Sequence, residues 1–218
     1  MELVKNLLKT KSQEVQNIEE YFVSAVLLPL AETERGLEVL FEVRANHLRR
    51  QPGEICFPGG RVEKNELMNP EEAAIRETAE ELGIQKDQVE LLGSLNCFFG
   101  PPANIIYPYV GLIKDKESIK PEPAEVEEVF WAPLKHFIKN PPAESSVEVA
   151  TRYARDFPFN RVPASYRKDW NKKWSFPVYF YEYGERFIWG ITARILYHFV
   201  TNYNKISIHA VEAAPFEE

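Results

Sequence analysis

Seven glutamates fall between Phe57 and Gly83, in FPGGRVEKNELMNPEEAAIRETAEELG, a stretch that begins at a glycine pair and ends as a helix. Carboxylates at this density have two uses. They form a solvated acidic helix face, or they gather oxygen ligands for a hard cation such as Mg2+, which is commonly held by a few carboxylates together with substrate phosphates. At ~100° per residue, Glu77, Glu80 and Glu81 share one arc of the helix, while Ile75, Ala79 and Leu82 share the opposite side. Like charges at this spacing repel, and a divalent cation reverses the sign. The pair Gly59 and Gly60 lets backbone carbonyls approach an ion and lets the chain turn sharply into the helix. Arg76 stands one turn before Glu80, at a spacing that permits an ion pair. The helix alone leaves both readings open.

The elements that must position these residues read as follows. YFVSAVLLPL (21–30) and GLEVLFEVRA (36–45) form two strands joined by the polar AETER, a hairpin. EICF (54–57) is a short strand running into Pro58. Asn69 is the candidate N-cap, Pro70 opens a helix through Leu82, and Gly83 stops it. VELLGSLNCFF, IIYPYVGLI and VEEVFWAPL are further strands, followed by a short helix around PLKHFIKN. An irregular aromatic and basic stretch runs from 150 to 174, then a strand FPVYFYEY, then a last helix from about Ile188 to Tyr203. Mixed strands with few helices predict an α+β sandwich rather than a doubly wound sheet.

The 218 residues suffice for one well-buried core, and a single domain is expected, with its core at about 21–200 and an N-terminal extension at 1–20. A formal charge of −7 argues against a protein that grips nucleic acid through a basic surface. An anionic substrate then needs local help from metal or clustered arginines. Cys56 and Cys97 show no metal-ligand spacing and read as reduced thiols. The N-terminal stretch mixes charges into its apolar residues, and no segment is apolar for long enough to cross a membrane, so a cytoplasmic protein without membrane partners is expected.

Gly60, Glu66 and the run Arg76-Glu77-Thr78-Ala79-Glu80-Glu81-Leu82-Gly83-Ile84 resemble the Nudix box of the Nudix hydrolases: Gly, five residues, Glu, seven residues, Arg-Glu-apolar-x-Glu-Glu-x-Gly-apolar. Here nine residues separate Glu66 from Arg76, and Thr78 stands at the aliphatic position. Upstream, LFEVRANHLRRQPGEICFPGG is similar to the signature of the coenzyme A pyrophosphatase branch, Leu-Leu-Thr-x-Arg-Ser, three residues, Arg, three residues, Gly-x-Val-x-Phe-Pro-Gly-Gly. Leu40, Arg44, Arg49, Gly53, Phe57, Pro58, Gly59 and Gly60 keep its register, and Phe41, Glu42 and Ala45 depart from it. RFIWGITARIL (186–196) also looks like this branch, in which such a segment opens the final helix.

The resemblance implies a Nudix-type α/β/α sandwich with a mixed central sheet, and metal-assisted attack of water on a diphosphate. It implies Mg2+ or Mn2+ held by Glu77, Glu80, Glu81 and the carbonyl of Gly60, with Arg76 holding Glu77 in place. Glu125, six residues before Trp131, matches a position from which such enzymes supply a further carboxylate; it reads equally as an exposed strand charge. The general base lies among Glu77, Glu81 and Glu125. Arg44, Arg49 and Arg50 read as phosphate-binding guanidiniums, or as a solvated basic turn. Trp189 and Gly190 read as core packing at a helix start, and Tyr153, Phe157, Phe159 and Tyr166 as structural or lid residues. The implied substrate is coenzyme A or acyl-CoA, cut to 3′,5′-ADP and 4′-(acyl)phosphopantetheine. The alternatives are another nucleoside diphosphate derivative, such as ADP-ribose, a dinucleoside polyphosphate or a nucleoside triphosphate, or a Nudix-fold sensor that binds without cleaving. Oligomeric state is open, a homodimer being one option.

Overall fold

A computed structural model describes residues 18–100, 103–163, 165–166 and 169–212, with the side chains of 19 and 204–212 outside it. Residues 1–17 of the expected extension therefore lie outside the described residues. The spine of the main sheet is β1 (Phe22–Thr33), which pairs in parallel with β7 (Asn104–Ile113) over nine positions, from Phe22 opposite Asn104 to Leu30 opposite Leu112. Its other edge is shared. Ser24–Val26 pair with β4 (Gly59–Arg61), and Leu30–Thr33 pair with β2 (Gly36–Arg44) across the predicted hairpin. Pro29, which has no N–H to give, sits between these two partnerships. This fork lets the glycine pair enter the sheet beside β1.

The rest of the sheet follows from the same pairing. β3 (Ile55–Cys56) and β8 (Val126–Pro133) flank β2, while β5 (Val89–Ser94) and β6 (Phe98–Gly100) both pair with β7. The stretch predicted as one strand, VELLGSLNCFF, is thus two, with an irregularity between Leu91 and Gly93.

Side chains alternate across each strand, and this divides the core in two. Leu28, Leu30, Val39 and Phe41 face one way, where they meet Leu134 and Phe137 of α2 (Leu134–Lys139) and Ala193, Ile195 and Leu196 of α3 (Gly190–Glu212). Phe41 stacks there on Phe57 and Phe130, with ring centroids 5.1 and 5.3 Å apart. Val23, Ala25, Leu27 and Leu40 face the other way, against Ala73, Ala74 and Leu82 of α1 (Pro70–Leu82). Helices therefore cover both faces of a mixed sheet, the expected α+β sandwich.

α1 has the predicted bounds, and Gly83 ends it in the left-handed conformation, with Ile84 N donating to Ala79 O at 3.0 Å. Any Cβ at Gly83 would stand 2.0 Å from the Lys120 carbonyl oxygen, so only glycine fits. Asn69 occupies the N-cap position without making a capping hydrogen bond; Pro70 and the acidic Glu71 and Glu72 serve that end instead.

The C-terminal third departs from the sequence reading. β9 (Ala143–Thr151) was not anticipated, and it pairs with β10 (Asn171–Tyr183), which starts five residues before the predicted strand. The irregular stretch is correspondingly shorter. Arg186–Trp189 form β11, folded back on β10 by a turn at Gly184, whose φ is +62°. The last helix consequently begins at Gly190 rather than Ile188, and Trp189 is 44% exposed rather than packed in the core. Tyr153, Phe157 and Phe159 pack on one another, with centroids 4.3 Å apart for Tyr153 and Phe157 and 5.0 Å for Phe157 and Phe159.

Candidate metal centre

α1 lies across β1 and β4, so that Glu77 and Glu81 of its later turns stand against Gly60 and Gly59. Arg76 is the hub of that crossing. Its Nε donates to Glu66 Oε1 at 2.9 Å and its Nη2 to Glu66 Oε2 at 3.1 Å, a bidentate fork. Nη1 donates to Glu77 Oε1 at 2.8 Å, and Nη2 also reaches the carbonyl of Arg61 at 3.2 Å. Glu66 is 6% exposed and further accepts the Glu63 N–H at 2.8 Å. The Arg76 guanidinium holds its carboxyl below the usual carboxylate range. The extra residues between Glu66 and Arg76 are taken up by a turn in which Asn69 N donates to Glu66 O at 2.8 Å, so Glu66 still meets the helix.

The helix carboxylates do not share one environment, contrary to the arc drawn from the sequence. Glu77 is half-buried against Gly60, where a Cβ would come within 2.4 Å of its carboxyl carbon. Glu81 is 3% exposed and accepts the Gly59 N–H at 2.7 Å. The Glu80 side chain is 61% exposed, with Arg76 Nη1 3.4 Å away. Burial raises the carboxyls of Glu77 and Glu81 above the ordinary range, and neighbouring carboxylates push the same way. Thr78, at the position where an aliphatic residue was expected, is buried because its hydroxyl donates to the Ala74 carbonyl at 2.7 Å.

Glu125 is exposed at the approach to β8, yet it belongs to this neighbourhood. The loop before it is tied to the end of α1 by Glu122 N donating to Glu81 O at 2.9 Å, and Glu125 O itself accepts from Ala45 N, just after β2, at 2.9 Å. Its charge acts on Glu42, Glu77 and Glu81 alike.

The three arginines expected to bind phosphate are not one cluster. Arg44 is half-buried among the carboxylates, with its Nε unpartnered. Arg49 and Arg50 are exposed on the turn, where Arg50 leans over the Phe22 ring 5.6 Å away. Arg61, unanticipated, approaches the same ring at 5.9 Å.

Sequence reasoning also passed over Glu42. It is 1% exposed, accepts a hydrogen bond from the Cys56 thiol at 3.2 Å, and is pushed up to about 7 by burial. The available signal was its departure from the branch signature on a strand with buried neighbours. Cys56 is a free thiol, raised by the same burial, and Cys97 is free and exposed.

Among the described residues, no three His, Cys, Asp or Glu side chains already surround one point in metal-binding geometry. The donor chemistry fits a hard cation nonetheless: all-oxygen donors, carboxylates that raise one another's pKa, and one buried carboxylate oxygen with no partner. A cleft of about 520 Å³, lined by His136, Tyr181 and Phe187 among others, contains none of these groups.

Residues 21–153 match the NUDIX domain. The chain is 34% identical over 131 residues to the peroxisomal coenzyme A diphosphatase ndx-8 of Caenorhabditis elegans, covering 60% of this chain and 56% of that one. It is 34% identical over 133 residues to the peroxisomal coenzyme A diphosphatase NUDT7 of Mus musculus, covering 61% and 55%. To the mitochondrial coenzyme A diphosphatase NUDT8 of Homo sapiens it is 27% identical over 175 residues, covering 79% and 65%. The chain thus spans about half the length of the first two of these curated relatives. Because the matched span takes in all of α1 and the glycine segment beneath it, the chain belongs to the Nudix family.

Proposed function

We propose that this chain is a metal-dependent Nudix hydrolase that cleaves the diphosphate linkage of coenzyme A or acyl-CoA. The reading is carried by the Arg76 hub, which fixes Glu66 and Glu77 together while Glu81 is pinned to the Gly59 amide. The names of the relatives supply the substrate class.

In this reading Glu77, Glu81 and the carbonyl of Gly60 hold the cation, and Glu80 adds a carboxylate from the solvent side. A bound Mg2+ or Mn2+ neutralises phosphate oxygens and lowers the pKa of coordinated water. The chain's own part is positional. Arg76 keeps Glu77 from turning away, the Gly59 amide does the same for Glu81, and Gly60 leaves the Glu77 carboxylate room that a Cβ would fill. A carboxylate among Glu77, Glu81 and Glu125 takes the proton from the attacking water. The new P–O bond forms as the bridging P–O bond breaks, giving 3′,5′-ADP and 4′-(acyl)phosphopantetheine. Arg44, Arg49 and Arg50 bind substrate phosphates, Arg44 from inside the carboxylate pocket and the other two from the rim.

Incubation with coenzyme A, ADP-ribose and dATP in parallel, each with Mg2+, Mn2+ or EDTA, tests this by chromatography of the products. Metal-dependent 3′,5′-ADP from coenzyme A alone is expected. Cleavage of ADP-ribose or dATP instead keeps the hydrolase and discards the coenzyme A assignment, and binding without cleavage of any supports the sensor. Among the described residues no helix is long and apolar enough to cross a membrane. A cytoplasmic location is part of the proposal; the relatives above are named peroxisomal and mitochondrial, and fractionation distinguishes these compartments.

A further inference from the structure

Glu42 is the anomaly of the acidic layer. On β2, Val39 and Phe41 point into the core under α2 and α3, whereas Leu40 points into the core under α1. Alternation therefore turns Glu42 toward α1, onto the face that carries Glu77 and Glu81. It is more deeply buried than any of the four carboxylates named above for the reaction. Its Oε1 accepts the Cys56 thiol, and its Oε2 is buried without a partner.

One short segment ties Glu42 to the others. Cys56 is its direct cross-strand partner; three residues on, the Gly59 amide donates to Glu81; one further, Gly60 lies against Glu77. Five consecutive residues, 56–60, thus touch three buried or half-buried carboxylates. Nearby charges act on Glu42 in both directions. Glu81 and Glu125 oppose it, and Arg44, though close enough to act on it, forms no ion pair with it among the described residues. A buried carboxylate oxygen without a partner is unfavourable, and a cation or a proton removes that penalty. Position 42 is one of those at which the chain departs from the branch signature that it resembles.

We propose that Glu42 is a direct ligand of the divalent cation through Oε2, so that the site closes on the ion from the strand side as well as from α1. The inference rests on the reading that Glu77 and Glu81 hold that cation. The Cys56 thiol, by bonding Oε1, then fixes the carboxylate plane and leaves Oε2 free.

Two measurements on the full chain test it, neither using activity. The first is Mn2+ binding by titration calorimetry and by the electron paramagnetic resonance of free Mn2+, for the wild type, Glu42→Gln and Glu42→Thr. Both variants are expected to bind Mn2+ at least about tenfold more weakly, with circular dichroism unchanged. Affinity within twofold of wild type in a folded variant overturns the proposal. The second needs no variant: anomalous diffraction from wild-type crystals with Mn2+ is expected to place the ion roughly 2.0–2.4 Å from Glu42 Oε2. An ion held by Glu77 and Glu81 with Glu42 uncoordinated overturns this inference alone. Absence of any ion at Glu77 and Glu81 overturns the metal-centre reading, and this inference with it.

Discussion

Glu66 and Glu42 are both buried carboxylates, and their surroundings are opposite. Each oxygen of Glu66 is bonded, one to Arg76 Nε and the other to Arg76 Nη2 and the Glu63 amide. Glu42 has a thiol on one oxygen and nothing on the other. A carboxylate whose partners are all built into the chain holds the chain together; one left short is completed from outside, by a proton or a cation. On the proposed reading the Arg76–Glu66 pair is scaffold, while Glu42 on β2 and Glu81 on α1, together with Glu77 that Arg76 steadies, face the cation.

The largest effect is expected at the scaffold. Arg76→Ala leaves the Glu66 carboxylate with the Glu63 amide alone, and removing the partner of a covered polar group costs about 1–3 kcal/mol. Urea denaturation at neutral pH reads this directly, and Arg76→Lys, a point charge without the fork, should recover only part of it. The pH dependence has a definite sign. The folded-state pKa of Glu66 is depressed below its ordinary 4.5. Its contribution is therefore present above 4.5 and is lost as pH falls through the lower folded value. That acid limb should be absent from Arg76→Ala; a limb of equal size in both proteins would deny the pair its structural role.

The unpaired side should show the reverse slope. Glu42 is raised from 4.5 to about 7 by burial, so the folded state binds the proton more tightly than the unfolded one. Its stabilisation is complete below 4.5 and fades as pH rises through 7. In EDTA stability should therefore fall between pH 5 and 8, with Glu81, raised by the same burial and by the Glu42 charge, contributing in the same direction. Glu42→Gln keeps an acceptor for Cys56 and removes the charge, so its stability curve should be flatter and its stability at pH 8 higher. A slope unchanged by that substitution would place the titration elsewhere.

Metal should close the gap between the two sides. Free Mn2+ at a hundredfold over its Kd adds about 2.7 kcal/mol by linkage, or roughly 5–10 °C in Tm for a chain of this length. Glu81→Gln should reduce that shift along with turnover. A full shift in Glu81→Gln would remove Glu81 from the site.

The scaffold side was the more legible in sequence, and for a physical reason. α1 announces both its ends locally, through Pro70 and through Gly83, whose left-handed backbone against the Lys120 carbonyl only glycine can adopt. Arg76 and Glu77 are adjacent in sequence, so their contact needs nothing distant. Glu66 was harder to place, because nine intervening residues break the usual spacing and only the turn at Asn69 restores the geometry. Glu42 showed in sequence only as a departure from the branch signature: strand alternation tells which residues share a face, but not which face lies under α1. β9 escaped for another reason. AESSVEVAT is exposed along nearly its whole length, so burial imposed no alternation of apolar and polar residues to read. Trp189 misled in the opposite direction, a large apolar residue left exposed on the short strand that precedes the last helix.

The smallest expected effect tests the division most finely, because it concerns two neighbouring glutamates on one helix. Glu80 and Glu81 are interchangeable by composition, and the arc drawn from the sequence treats them alike. The fold separates them: Glu81 turns inward to the Gly59 amide, while the Glu80 side chain is 61% exposed, with one long contact to Arg76. Solvent screens an exposed pair of this kind, so Glu80→Gln should change stability by no more than about 0.5 kcal/mol. It should also weaken Mn2+ binding less than Glu81→Gln, since an exposed carboxylate gives up more hydration to bind and contributes less on binding. Calorimetric titration of the two variants side by side gives the order. If Glu80→Gln costs as much affinity as Glu81→Gln, the cation sits at the rim of the helix rather than over the glycine segment, and burial is not what selects the ligands.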